Sequence, residues 1–129
     1  MISALAFFAA MSLRSQAAPV TADQVTYGQL TRCAAVFQLS TALADPADPI
    51  RESGVSATAA YLALAGLHGE GLGRDAARVE RDVADEFEEL VELRAMAEPR
   101  LFERSLQTDQ QVCVIVSQRI LRESKGSAD

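Results

Sequence analysis

Apolar residues recur at the three- and four-residue spacing of an α-helix along most of this sequence, and that periodicity limits the fold more than any other feature. The clearest stretch covers residues 74–98, where Val79, Val83 and Leu90 fall along one side and carboxylates along the other. Residues 112–116 taken alone would suit a strand, but no second run of that kind offers them a partner. The sequence therefore predicts an all-α protein.

Capping residues and prolines set the boundaries of the first two helices. Thr21 and Gln24 form a Thr-x-x-Gln pair that can cap the start of a helix, and Pro46 should end that helix. A second start is expected at Asp48, which precedes a proline, and an alanine-rich stretch follows it as far as Leu67. The many alanines should let this second helix lie close to its neighbours.

Glycine and proline also separate the remaining helices. The glycine-rich residues 66–73 should end the second helix, and Pro99 should interrupt the last helices, because proline lacks a backbone N–H. Another Thr-x-x-Gln pair begins at Thr108 and predicts the start of a final helix, which should reach about Ser124. The polar tail from about residue 125 is expected to fray.

Four helices with short connections and one apolar stripe each pack most simply as an up-and-down bundle. An irregular orthogonal helical domain is the alternative, and the interruption at Pro99 would favour it. With 129 residues, the chain is long enough for one modest hydrophobic core and too short for two. We therefore expect a single helical domain over residues 18–129.

The N-terminal segment has the pattern of an export signal. Residues 2–13 form an uncharged run of 12, which as a helix would be about 18 Å long against about 30 Å of bilayer hydrocarbon. That length is too short for a stable membrane span and suits a secretory signal with a cut after Ala17. We therefore expect a signal peptide at residues 1–17 and an exported protein, periplasmic or extracellular. No Lys or Arg precedes the run, which is atypical, and a buried first helix is the alternative.

The two cysteines, Cys33 and Cys113, predict one disulfide bond. They would lie in the first and last helices, which are antiparallel neighbours in an up-and-down bundle, and export would take them to an oxidising compartment. Closing a loop of 80 residues would contribute about 4.5 kcal/mol in the chain-entropy model. The alternative is two buried free thiols that act as small apolar residues.

Charge and residue content exclude several classes of function. Eighteen Asp and Glu against twelve Lys and Arg give a net charge of −6, which argues against a nucleic-acid partner. His68 is the single histidine, and its place in the glycine-rich stretch predicts an exposed loop residue rather than a general base. The glycines lack the spacing of a dinucleotide-binding loop, and a zinc site would need more His or Cys. We therefore expect no catalytic, cofactor or metal site, and no enzyme.

The acidic side of the third helix is the one surface with a functional pattern. A cluster of carboxylates there would speed and orient the approach of a basic protein partner. The alternative is a solvated face that serves solubility. The candidate partner-binding residues are Asp82, Asp85, Glu86 and Glu89.

These features predict a small exported helical protein that binds another macromolecule as an inhibitor, a chaperone-like protein or an accessory protein. Binding would use the acidic third helix or the apolar seam near Pro99. One alternative is a carrier for an apolar small ligand, with a cavity lined by Phe37, Leu62 and Phe87. Another is an accessory subunit that an uncleaved N-terminal segment tethers to a membrane complex.

Overall fold

The computed structural model describes residues 21–128, with side chains as far as Lys125. Four helices follow one another along this part of the chain: α1 (Ala22–Leu43), α2 (Ile50–Gly71), α3 (Ala76–Met96) and α4 (Pro99–Ala128). The predicted all-α, four-helix fold is confirmed. The predicted signal peptide lies outside the described residues.

Helix α1 lies at the centre of the fold and contacts each of the other three helices. Its side chains are buried around almost the whole circumference, and the consecutive residues Ala34, Ala35 and Val36 are fully buried. Short side chains let neighbouring backbones approach α1 from several directions. The helices therefore surround α1, and α3 and α4 make few contacts with each other.

The start of α1 is the predicted capping box. The hydroxyl oxygen of Thr21 accepts a hydrogen bond from the backbone N–H of Gln24 (3.1 Å), and the Gln24 side chain accepts one from the Thr21 N–H (2.9 Å). Asp75 caps α3 by accepting from the backbone N–H of Arg78. Two orphan N–H groups at the start of α4 donate to the carboxylate of Glu98. Local sequence therefore accounts for three helix starts.

Helix α2 continues further than predicted, to Gly71, so Gly66 and Gly69 lie inside it. The prediction of an exposed loop position for His68 is therefore wrong: this residue lies in the last turn of α2 and is partly buried. Glycine lowers helix stability by only about 1 kcal/mol, which tertiary packing can offset. The helix ends before Gly73, whose φ of 73° is left-handed.

Helix α4 is continuous from Pro99, and the predicted helix start at Thr108 is wrong. The Thr108 hydroxyl donates to the carbonyl of Arg104 one turn earlier (3.0 Å), as a threonine inside a helix does. The chain does break before Pro99, because α3 ends at Met96. Pro99 thus separates α3 from α4, and residues 99–108 join the final helix.

The predicted disulfide bond joins Cys33 of α1 to Cys113 of α4, with their Cα atoms 5.6 Å apart. Because α4 begins at Pro99, Cys113 lies near its middle. Two side-chain hydrogen bonds support the same region: the Tyr61 hydroxyl donates to the carbonyl of Cys113 (2.8 Å), and Gln110 donates to the Ser40 hydroxyl (2.7 Å). The disulfide and these bonds attach α4 to α1 and α2.

Candidate functional site

Helix α3 carries all four of the predicted partner-binding carboxylates, but the structure divides them into two groups. Asp82, Glu86 and Glu89 contact cations of the same chain, whereas Asp85 points to solvent. The acidic side of α3 is therefore partly used inside the molecule. Which carboxylates remain for a partner depends on these internal contacts.

Asp82 is fully engaged by three neighbouring side chains. Tyr27 of α1 donates a hydrogen bond from its hydroxyl to Asp82 Oδ2 (2.5 Å), and Arg78 donates from Nε to Oδ1 (3.0 Å). Arg74 adds an ion pair at 3.5 Å and stacks its guanidinium over the Tyr27 ring, 4.5 Å from the centroid. This network joins the start of α3 to α1, so Asp82 has a structural role.

The surroundings of Tyr27 shift the pKa of its phenol. Burial raises the pKa of its phenol above the ordinary 10.0, and the hydrogen bond to Asp82 acts in the same direction. The nearby Arg74 acts in the opposite direction but does not outweigh them. Tyr27 is therefore a protonated donor at neutral pH and has no role as a base.

Arg32 of α1 holds two more of the predicted carboxylates. Its guanidinium donates to Glu86 at 3.1 Å and lies 3.9 Å from Glu89. Arg32 and Glu86 are both partly buried, whereas most of the Glu89 side chain is exposed. The Glu86 carboxylate is thereby tied to the bundle, and Glu89 keeps room for a second contact.

The solvent-facing side of α3 presents a row of carboxylates, which we call the carboxylate row: Asp85, Glu88 and Glu92. All three are exposed, and they form no ion pair with the part of the chain that the structure describes. Their spacing of three and four residues places them on one side over about 10 Å of helix. Arg81 lies one turn before Asp85 in α3, but no ion pair joins these two residues. The row is free to meet a cation from outside.

A surface groove of about 290 Å³ runs between α1 and the first half of α3. Its walls include the Tyr27–Asp82–Arg74 network, and Asp85 lies at its edge. Three carboxylates and two arginines line it, so the groove is polar and mildly acidic. The groove adjoins the carboxylate row through Asp85.

A second, largely apolar groove of about 170 Å³ lies where α3 meets α4. Leu90, Phe102 and Leu106 are its buried members, and Arg32 and Asp109 add polar groups. Around this junction, Met96 is 78% exposed and Leu101 61% exposed. We call this feature the junction groove, and it corresponds to the apolar seam predicted near Pro99. The carboxylate row ends one helical turn before Met96.

The described residues contain no group of three or more His, Cys, Asp or Glu side chains that could hold a metal ion. In residues 21–128, no helix is long and apolar enough to cross a membrane. Both cysteines are in the disulfide and therefore have no thiolate for nucleophilic chemistry. Helix α3 presents exposed carboxylates on one side, and its C-terminal half lines an apolar groove.

The cavity expected for an apolar-ligand carrier has no counterpart in these two grooves. Neither is lined by Phe37, Leu62 or Phe87. Phe37 instead stacks on Tyr61, with ring centroids 5.3 Å apart, and Leu62 and Phe87 pack against the core. The carrier function stays a prediction.

Sequence reasoning missed the residues that neutralise α3. Tyr27 and Arg32 lie more than 50 positions before their partners, so no local spacing reveals the contacts. One signal was available, because Arg32 is a charged residue in a helix that is otherwise almost entirely apolar near its middle. A lone arginine at such a position indicates a carboxylate partner.

Compared with known proteins, the chain matches no family model, no curated protein and no solved structure. What the surface can bind therefore follows from its own chemistry.

Proposed function

We propose that this protein is an exported, non-enzymatic binding protein whose partner is a basic, amphipathic segment of another protein. It would act as an inhibitor, a chaperone-like protein or an accessory protein. One observation carries the proposal: Asp85, Glu88 and Glu92 are exposed with no ion pair to the described part of the chain, on the helix whose C-terminal half lines an apolar groove. A partner with cations and apolar side chains at helical spacing would complement both surfaces.

The internal ion pairs support this assignment because they show which carboxylates already have partners. Arg32, Arg74 and Arg78 neutralise the inner carboxylates of α3. The outer row keeps its charge, and seven acidic residues against three arginines give α3 a net charge of −4. An acidic row of this kind accelerates the approach of a basic partner and sets its orientation.

The junction groove supplies the affinity that exposed ion pairs do not. A surface ion pair contributes about 0–1 kcal/mol, whereas burying one large apolar side chain contributes about 1.5–3 kcal/mol. Met96 and Leu101 are exposed near the groove and would lose water when a partner covers them. We therefore assign orientation to the carboxylate row and most of the binding energy to the groove.

Export is supported by the disulfide and by the N-terminal pattern. A buried disulfide in a small chain is typical of oxidising compartments, where it persists. The uncharged residues 2–13 and the small residues before Ala18 suit a cleaved signal peptide. The partner would therefore be met in the periplasm or outside the cell.

Binding of a designed peptide tests the proposed surface. The probe is a labelled helical peptide with Leu at core-facing positions and Lys beside them, and its comparator has Glu in place of Lys. We expect the Lys peptide to bind in fluorescence anisotropy, and added salt to weaken that binding. The Asp85→Lys/Glu92→Lys variant should raise its Kd about tenfold, because two attractions become repulsions.

The matched control is Glu70→Lys/Glu103→Lys, which makes the same change in net charge at exposed positions on α2 and α4. This control should bind the Lys peptide almost as the natural protein does. Equal losses in both variants would show that only net charge matters. Equal binding of the Lys and Glu peptides would contradict the proposal outright.

A further inference from the structure

Helix α4 has an exposed side that combines arginine with apolar residues. Val112, Ile115, Arg119 and Arg122 share this side, which we call the α4 stripe. The buried side of α4, which includes Cys113 and Val116, lies next to this exposed side. Val112 is 47% exposed and Ile115 54% exposed. No element of the described chain covers the stripe.

The charge of the α4 stripe is opposite to that of the carboxylate row. The stripe has two arginines, Glu123 lies one turn after Arg119 on the same side, and α4 as a whole has five basic and three acidic residues. Helix α3 has a net charge of −4, so one chain carries two separated surfaces of opposite sign. Neither arginine forms an ion pair among residues 21–125.

The two surfaces also match in the order of their residues. Along α3 from its N-terminal side, carboxylates at Asp85, Glu88 and Glu92 are followed by the exposed Met96. Along α4 in the reverse direction, Arg122 and Arg119 are followed by two apolar residues. The sets extend over 12 and 11 residues, or about 16 Å and 15 Å of helix from the first residue to the last. An antiparallel pair would bring the two arginines to Asp85 and Glu88 and Val112 to Met96, with Ile115 beside Glu92.

We infer that the α4 stripe docks antiparallel on the carboxylate row of a second copy of this chain. This inference rests on the proposed function, since it uses the same carboxylates. It identifies α4 of another copy as a basic and apolar helix that complements them. Arg122 would lie against Asp85, Arg119 against Glu88, and Val112 against Met96. When each copy supplies both surfaces, the contact either closes into a two-fold dimer or continues from copy to copy.

An anionic lipid surface is the competing occupant, because basic amphipathic helices also bind such surfaces. The whole chain has a net charge of −6, which opposes the approach to an anionic bilayer. A second copy has the same net charge, but it presents carboxylates at the positions of the two arginines and the exposed Met96 near Val112, which a lipid surface does not. We therefore favour the second copy.

Sedimentation velocity of the disulfide-bonded protein over a range of concentrations tests the inference. We expect the average mass to rise above that of one chain with concentration, and to fall back in high salt. Arg119→Glu/Arg122→Glu should weaken association at least tenfold, and so should Asp85→Arg/Glu88→Arg. An equimolar mixture of these two variants should associate again, because each restores the complement of the other.

The control variant is Arg51→Glu/Arg100→Glu, which changes the net charge equally at exposed positions outside the docked region. It should associate as the natural protein does. Failure of the mixed variants to associate, or equal weakening by the control, would overturn the inference.

Two further outcomes separate this inference from its rivals. A protein that stays a monomer at every concentration but binds the Lys peptide would overturn self-association and leave the proposed function standing. A monomer that sediments with phosphatidylglycerol vesicles, and loses this on Arg119→Glu/Arg122→Glu, would assign the stripe to lipid instead. Vesicles of phosphatidylcholine are the neutral comparison.

Discussion

Gly54 and Gly66 lie in the same helix, α2, in different surroundings. A Cβ atom built at Gly54 would overlap the hydroxyl of Thr41 and lie 3.3 Å from its Cβ, whereas one at Gly66 would meet nothing within 4 Å. The Thr41 hydroxyl also donates to the carbonyl of Phe37 (2.7 Å), which restricts its movement. Gly54 therefore marks the close approach of α1 and α2, and Gly66 does not.

This contrast predicts opposite effects of the same substitution. Gly66→Ala should raise the free energy of unfolding by about 0.5–1 kcal/mol, because alanine loses less conformational entropy in a helix. Gly54→Ala should lower it by about 1–2 kcal/mol, because the collision with Thr41 outweighs that gain. Urea unfolding measures both, and each variant serves as the control for the other. A stabilising Gly54→Ala would show that α1 and α2 are further apart.

Tyr27 makes stability depend on alkaline pH. Its pKa is raised in the folded protein, so its contribution is fully present below about pH 10. The contribution is lost as the pH rises from there through the folded pKa, because the unfolded chain deprotonates first. Tyr27→Phe should cost about 1–2 kcal/mol at neutral pH by removing the hydrogen bond to Asp82.

The difference in unfolding free energy between the natural protein and Tyr27→Phe should shrink above pH 10. Urea unfolding of the two proteins at several pH values measures this difference. A difference that stays constant to high pH would mean that Asp82 does not hold the phenol.

At the level of single residues, the sequence predicted contacts within one turn and missed contacts between helices. The Arg78–Asp82 pair was visible because the two residues are four apart on one helix. The Arg32–Glu86 pair was not, because its geometry depends on how α1 and α3 pack. Two of the four candidate partner-binding carboxylates proved to be structural for this reason.

Helix boundaries show the same limit at the scale of elements. The capping box at Thr21 and the break before Pro99 were predicted, because each acts through the neighbouring backbone. The start at Thr108 was wrong, because Thr-x-x-Gln also occurs inside helices, where the hydroxyl bonds to the preceding turn. The glycines of α2 led to a helix end that was predicted too early, because packing of the helix offsets the weak helix propensity of glycine.

Helix α4 should depend on the disulfide more than any other helix does. It contacts α1 along a limited region, contacts α3 little, and projects well beyond it, with 30 residues against 22 in α1. Cys33→Ala/Cys113→Ala should lower the free energy of unfolding by about 4.5 kcal/mol, because the unfolded chain regains the freedom of the open loop. Urea unfolding of the two proteins measures the loss.

Hydrogen exchange measures which helices lose stability when the disulfide is removed. In the variant, amides of α4 should exchange faster relative to those of α2, which packs extensively on α1. Uniform acceleration over all four helices would instead mean that α4 belongs to one cooperative unit with the rest.

On the scale of the whole molecule, periodicity and the two cysteines were enough to predict a four-helix protein with one disulfide. They did not predict that α1 is central. Four amphipathic helices have many arrangements, and only detailed packing selects among them. The run Ala34-Ala35-Val36 was the available signal, since a helix without a polar side at its middle is surrounded.

The proposed export makes a prediction for the whole molecule that does not depend on its partner. Protein taken from its native compartment, without added reductant, should show no titratable thiol in denaturant and should begin at Ala18. N-terminal sequencing and thiol titration measure the two properties, with a reduced sample as the control. Two free thiols and an intact Met1 would place the protein in a reducing compartment.

The sulfur atoms that join α1 to α4 are shielded from water, since Cys33 is 3% and Cys113 2% exposed. A dissolved thiol must reach a sulfur atom to exchange with it, so the folded molecule has to open first. The rate of reduction should therefore stop rising as reductant is added, and its ceiling is the rate of opening. The limiting rate at which the disulfide is reduced would therefore measure how often this small protein opens.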